Sequence, residues 1–167
     1  MKVKRFFLEY KKSAYKNESL VIPSNIKIFL EKNKDININK FFYKQIGKDH
    51  FWRDRLLWTD EEWGTYVNNK NLETWIMKID NDLVGFYEQE FHSIKNEVEL
   101  IQMGVLKEYQ GKSLGNFLLQ HIIYKSFNTN AKRLWVHTCT LDHKNAYKNY
   151  ISRGFKVFKE EEIDFEI

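Results

Sequence analysis

Gln110-Gly111-Lys112-Ser113-Leu114-Gly115 lies between a β-rich run that ends at Val105 and an apolar repeat in which Leu114, Phe117, Leu118, His121, Ile122 and Lys125 recur at helical spacing. The segment therefore opens a helix. Backbone N–H groups in the first turn of a helix have no partners inside it and sit at the positive end of its dipole, so they suit a pyrophosphate. Gly111 and Gly115 remove side-chain bulk, Ser113 adds little, and Lys112 brings positive charge near an anion. The spacing of a Walker loop is not met, and no second Gly-x-Gly pair makes a dinucleotide fingerprint. Taken alone, the segment reads equally well as a plain turn at a helix start.

Outward from this loop the pattern is regular. Glu97 to Val105 alternates as a strand, preceded by Thr74–Ile79 and Leu83–Phe91 joined by a tight turn at Asn81-Asp82, which predicts a three-stranded meander. Val3–Tyr10 reads as a first strand and Asn37–Ile46 as a helix stopping near Gly47. Thr59 and Glu62 form a capping box for a second helix through Val67. After the loop helix comes a strand at Arg133–Cys139. Asp142 then caps a helix to Arg153, closed by Gly154, and Phe155–Phe158 begins a last strand. The predicted order is β-α-α-β-β-β-α-β-α-β.

The composition fits one soluble globular domain spanning residues 1–167: 43% hydrophobic, 30% charged and 16% aromatic, with no Gly/Ser-rich linker and one proline, Pro23. The net charge is +4, but the 27 basic and 23 acidic residues are interleaved, as on a solvated surface. The single cysteine, Cys139, excludes an intramolecular disulfide and fits a reducing compartment. There is no signal-peptide core after Met1–Arg5 and no apolar run near the roughly 20 residues of a membrane helix. A cytoplasmic location is expected.

Gln110-x-x-Ser113-x-Gly115, preceded by a strand ending in Val105, resembles the Gln/Arg-x-x-Gly-x-Gly/Ala signature of the GNAT N-acetyltransferase superfamily. Ala146-x-x-x-Tyr150-x-x-x-Gly154-Phe155 resembles its later motif, in which a helix delivers a tyrosine to the thioester. The likeness covers about Glu97 to Phe158, and Trp135–His143 and Arg53–Trp58 look like an uncharacterised bacterial branch. It departs from the family pattern at Ser113 for glycine, Lys107 for proline and His143 for asparagine. A serine at a position needing positive φ is costly.

The resemblance implies an α/β (α+β) GNAT-like fold, a mixed and mostly antiparallel twisted sheet flanked by about four helices. It also implies acetyl-CoA as co-substrate, no metal, and direct acetyl transfer to a primary amine in a ternary complex. Met103, Gly104 and Val105 would pair with the pantetheine amides like an added strand. Gln110, Gly111, Lys112, Ser113, Leu114, Gly115, Asn116 and His143 would contact the rest of the cofactor. A primary amine with pKa about 10.4 is almost wholly protonated at pH 7, so a base is needed. The resemblance offers Glu99 acting through water; Glu97 shares its strand face, and the pair reads equally as a solvated acidic edge. Tyr150 would stabilise the departing thiolate by a hydrogen bond, since full transfer from a phenol is uphill by roughly 2 kcal/mol. A bulge near Met103–Val105 would free an N–H to polarise the carbonyl. Trp52, Arg55 and Trp58 would shape the acceptor pocket, with Arg55 either holding a substrate carboxylate or pairing with Asp54 or a surface carboxylate.

Other constellations compete. His137, Cys139, Asp142 and His143 carry zinc-compatible donors but lack paired ligand spacing, and His137 with Cys139 does not make a nucleophile and base without an orienting group. Phe51, Trp52, Trp58 and Trp63 with Arg53 and Arg55 suggest base stacking, though core packing explains most of them. The expectation is a small-molecule or peptide amine acceptor, with no nucleic-acid or membrane partner and a homodimer left open. The alternative is a non-catalytic protein of the same fold that binds CoA or a small ligand.

Overall fold

The computed structural model describes residues 1–166. One sheet of seven strands in the order β2-β3-β4-β5-β6-β1-β7 carries the architecture. Its strands are β1 (Lys2–Lys11), β2 (Ile26–Leu30), β3 (Leu72–Ile79), β4 (Asp82–His92), β5 (Glu97–Val105), β6 (Arg133–Cys139) and β7 (Lys156–Asp164). The helices are α1 (Ile36–Gly47), α2 (Asp60–Val67), α3 (Leu114–Asn128) and α4 (Ala146–Ser152). All neighbours pair antiparallel except β5 and β6, which are parallel. The mixed, mostly antiparallel sheet with its helices is the GNAT-like fold expected.

Helix α3 buries Leu118, Leu119 and Ile122 against Leu100, Leu134 and Val136, the larger core. On the opposite face α1 sets Phe42 and Ile46 against Ile76 and Phe86, with the Phe42 and Phe86 rings stacked at 4.8 Å. Thr59 and Glu62 cap α2 reciprocally, as their spacing predicts. No helix among the described residues is long and apolar enough to cross a membrane.

Three features depart from the sequence prediction. Strand β2 was not anticipated; its Ile26, Ile28 and Leu30 turn inward while Lys27 and Phe29 are exposed, a period of two over only five residues. Helix α4 starts at Ala146, not after Asp142. The Asp142 carboxylate accepts from Thr138 Oγ1 at 2.7 Å and from the Cys139 N–H at 3.0 Å, so it fastens the end of β6 and is not available to cap a helix. The meander turn is centred on Asp80 and Asn81, one residue earlier than expected, with Asp80 at φ +51°, a conformation aspartate tolerates.

The sheet opens at its centre. β5 and β6 pair from Glu97 with Arg133 as far as Leu100 with Val136, and Ile101–Val105 then part from His137–Cys139. At the same level β5 bulges against β4: Glu88 faces Gln102 and Gln89 faces Leu100, so Ile101 is the extra residue. The bulge falls just before the Met103–Val105 stretch where one was expected. It leaves the edge of Ile101–Val105 that faces β6 without a strand partner.

Candidate active site

The opening between β5 and β6 is the floor of a cleft of about 720 Å³. The unpaired half of β5 and the start of α3 form one wall, and α4 with its leading turn, the connection between α1 and α2, and the ends of β1 and β7 form the rest. Of the predicted residues, Met103, Gly104, Val105, Gln110, Gly111, Ser113, Leu114, Gly115, Asn116, His143, Trp52 and Tyr150 all line it. Lys112, Glu99, Arg55 and Trp58 do not.

At the α3 end the loop is held by its own side chains. Gln110 Nε2 donates to the Val105 carbonyl at 3.2 Å, tying the loop back to the strand it leaves. Gly111 adopts φ +81°, and a Cβ there would meet nothing within 4 Å, so this face of the loop is open space. Ser113 occupies the left-handed region at φ 62°, ψ 16°, and gives no side-chain cap to α3. The first helical bond is from the Phe117 N–H to the Ser113 carbonyl, at 3.4 Å, which leaves the preceding N–H groups free for an anion. Lys112 instead lays its ammonium over the Tyr109 ring at 5.7 Å. Arg153 Nε donates to Asn116 Oδ1 at 2.6 Å and so joins the end of α4 to the start of α3.

Tyr150 is positioned by the way α4 ends. Gly154, at φ +106°, lets its N–H reach the Ile151 carbonyl while the Phe155 N–H reaches the Tyr150 carbonyl, each at 3.1 Å. This is a Schellman motif, and its apolar contact is the Tyr150–Phe155 ring pair at 5.4 Å. The Gly-Phe pair of the sequence motif thus fixes the tyrosine. Burial, with a smaller contribution from Asp142, raises the Tyr150 pKa, so the phenol stays protonated and able to donate.

On the α1–α2 side the polar groups are already committed. The Arg55 guanidinium donates to Glu88 Oε1 at 2.9 Å and to the Tyr66 hydroxyl at 3.1 Å, and Tyr66 donates to the same Glu88 oxygen at 2.9 Å. Asn39 donates to the other Glu88 oxygen at 2.5 Å. Glu88 is wholly buried and Arg55 nearly so. Trp58, Trp63, Tyr43 and Tyr66 surround the guanidinium, the nearest ring centre being Tyr66 at 4.3 Å. Arg55 thus pairs with a buried carboxylate of a distant strand, not with Asp54. Trp58 packs on Arg55; Trp52 alone of the three reaches the cleft, its indole N–H directed at Asp142 Oδ1 at 3.4 Å.

Glu99 opens onto a separate, smaller hollow shared with Glu90, His92 and Trp135, where His92 Nε2 lies 3.0 Å from its carboxylate. Glu97 is engaged by Arg133. His137 and Cys139, on the end of β6 that has parted from β5 but stays paired with β1, do line the main cleft. Their place there depends on where the β5–β6 pairing stops, which no local pattern announces. Among the described residues no three His, Cys, Asp or Glu side chains gather as metal donors.

Residues 36–155 match the model of the acetyltransferase (GNAT) family. The chain belongs to that family. No curated protein matches it, but many solved structures share the fold. A conserved Staphylococcus epidermidis protein of unknown function is 16% identical with a TM-score of 0.65; the alignment covers 97% of this chain and 60% of that one, so this chain spans less than two thirds of its length. An aminoglycoside acetyltransferase from an uncultured soil metagenomic sample is 15% identical over 78% of this chain and 88% of its own, with a TM-score of 0.64. An Escherichia coli alanine N-acetyltransferase for a ribosomal protein is 16% identical over 77% of this chain and 76% of its own, with a TM-score of 0.60. At these identities the likeness is one of fold.

Proposed function

We propose that this protein transfers the acetyl group of acetyl-CoA to a primary amine, by direct attack of the amine on the thioester with both substrates bound. The observation that carries this reading is the single cleft in which an unpaired strand edge, an unsatisfied helix start and a buried tyrosine lie together. The pyrophosphate would sit on the N–H groups of Gly111–Asn116, and the pantetheine would pair along Met103–Val105, as a strand added to a free edge. That alignment brings the thioester to the point where β5 and β6 part, beside Tyr150.

Three things must then happen. The amine nitrogen forms a bond to the carbonyl carbon, the C–S bond breaks, and the nitrogen loses its proton. Tyr150 donates a hydrogen bond to the thiolate as charge gathers on sulfur; its raised pKa favours donation over full transfer. Glu99 supplies negative charge behind the acceptor half of the cleft, which favours loss of the proton there. Arg55 and Trp58 shape the acceptor pocket from behind, by holding the connection that carries Trp52, and His143 contributes to the cofactor side of the cleft wall. The acceptor is a small-molecule or peptide amine, and the activity is cytoplasmic, where acetyl-CoA is available. A Tyr150→Phe variant tests the reading: turnover with an amine panel, followed by release of the CoA thiol, falls by about 10-fold or more while acetyl-CoA affinity is unchanged. Undiminished turnover would remove Tyr150 from the mechanism.

A further inference from the structure

His137 pairs with Phe7 of β1 and stands one residue beyond Val136, the last position of β6 paired with β5, so it is the first side chain of that strand to face the opening on the side away from α3. It is exposed to the cleft, and its ring leans on Phe7 with centres 5.6 Å apart. Among the described residues no hydrogen bond holds its ring, which leaves both nitrogens open to a ligand. The charged groups around it come from every neighbouring element: Arg5 on β1, Glu99 on β5, Asp142 in the turn after β6, and Glu161 on β7. Arg5 and Glu161 are paired with each other at 3.0 Å, and Asp142 is occupied by Thr138 and Cys139. Gln102, on the bulged part of β5, lines the same cleft with a buried Oε1 that has no partner among the described residues.

We infer that His137 is the catalytic base of this chain, taking the proton from the amine nitrogen once that nitrogen has bonded to the thioester carbon, with Glu99 behind it. The inference rests on the acetyltransferase reading above. It resolves the difficulty that Glu99 opens onto a different hollow: the carboxylate contributes only its charge to the imidazole, and the proton goes to the ring. The amine enters as its minor neutral form, its ammonium proton left in solvent. The nitrogen lone pair forms the C–N bond, the C–S pair leaves on sulfur, the N–H proton passes to an imidazole nitrogen, and the imidazolium returns it to water while the thiolate is protonated by solvent.

The free ammonium cannot be the proton donor to this base, because with a pKa of about 10.4 it holds its proton far too tightly for any imidazole. The adduct nitrogen is far more acidic than the free ammonium, and there an imidazole is competent. Although the ring is open to the cleft, the protein packed around it, then the charge of Arg5, lowers the His137 pKa below the ordinary 6.5, against the opposing pull of Glu99, Asp142 and Glu161, which favours the neutral ring at pH 7.

The test joins three measurements on the whole chain. Calorimetry with acetyl-CoA gives the same affinity for the wild type and for His137→Gln, because the residue does not hold the cofactor. Proton–nitrogen spectra of the imidazoles, with the five histidines sorted by His137→Gln, show the His137 signal titrating below pH 6.5 and moving when acetyl-CoA is added. With a panel of short primary amines, diamines and amino-acid amides, His137→Gln loses about 10²–10⁴-fold in kcat together with the acidic limb of the wild-type pH profile. If acetyl-CoA binds but the His137 signal stays still, or the variant keeps both its rate and the acidic limb, His137 is not the base and the acetyltransferase reading survives. If acetyl-CoA fails to bind, or binds without any amine being acetylated, both fall.

Discussion

The two sides of the cleft solve opposite problems. At the start of α3 the chain leaves polar groups open: backbone N–H groups without partners, a glycine facing empty space, and a serine held in a left-handed conformation. On the α1–α2 side it closes them, with Arg55, Glu88, Tyr66 and Asn39 satisfying one another in the interior. A surface meant for an anion must keep its donors free, whereas a wall that positions an acceptor must not move. Unsatisfied backbone marks the ligand, and saturated side chains mark the support.

The largest expected effect breaks the saturated side. Glu88→Ala leaves the Arg55 guanidinium buried and unpaired, which costs about 3–5 kcal/mol of folding stability and is read as a lower urea midpoint. Glu88→Gln keeps the shape and part of the hydrogen bonding and loses less. Neither variant, while folded, changes acetyl-CoA affinity, because the network does not reach the loop. A loss of affinity would show that the two sides are coupled.

A second test lies inside α3, whose middle is as closed as its start is open. His121 is 5% exposed, its Nδ1 lies 2.9 Å from the Tyr87 hydroxyl, and burial followed by the charge of Lys125 lowers its pKa to about 4 from 6.5. The unfolded chain therefore takes up this proton at higher pH than the folded chain. The stability that His121 contributes is present above pH 6.5 and is lost progressively as pH falls toward 4, by an amount on the order of 2–3 kcal/mol. Urea titrations at a series of pH values measure it, and His121→Leu flattens that part of the profile.

The smallest expected effect sharpens the open side. Ser113→Gly removes the penalty of a side chain at φ 62°, about 1 kcal/mol, and tightens acetyl-CoA by about 5-fold if the strain is relieved on ordering the loop around phosphate. Unchanged affinity would mean that the loop is equally formed with and without cofactor.

The same contrast explains what was legible in the sequence. The open side is built from consecutive residues, so Gln110–Gly115 and the Gly154-Phe155 helix end could be recognised from spacing and glycine chemistry, and Tyr150 came with them. The alternating strands and the Thr59–Glu62 cap are local for the same reason. The closed side is built from residues that neither adjoin nor repeat: Arg55 meets Glu88 across 33 positions and Asn39 across 49, so the carboxylate that holds Arg55 had no sequence signal. The separation of Glu99 from the cleft and the approach of His137 to it both follow from where the parallel pairing ends and the bulge at Ile101 begins, a register property that only the assembled sheet defines.

The most direct test of the central claim is calorimetric titration of the protein with acetyl-CoA beside S-acetylpantetheine, which carries the thioester without the pyrophosphate. Saturable binding of acetyl-CoA that is lost or greatly weakened with S-acetylpantetheine is the predicted result, because the free N–H groups at the start of α3 would hold the pyrophosphate. No heat at millimolar acetyl-CoA, or equal binding of the two compounds, would contradict it.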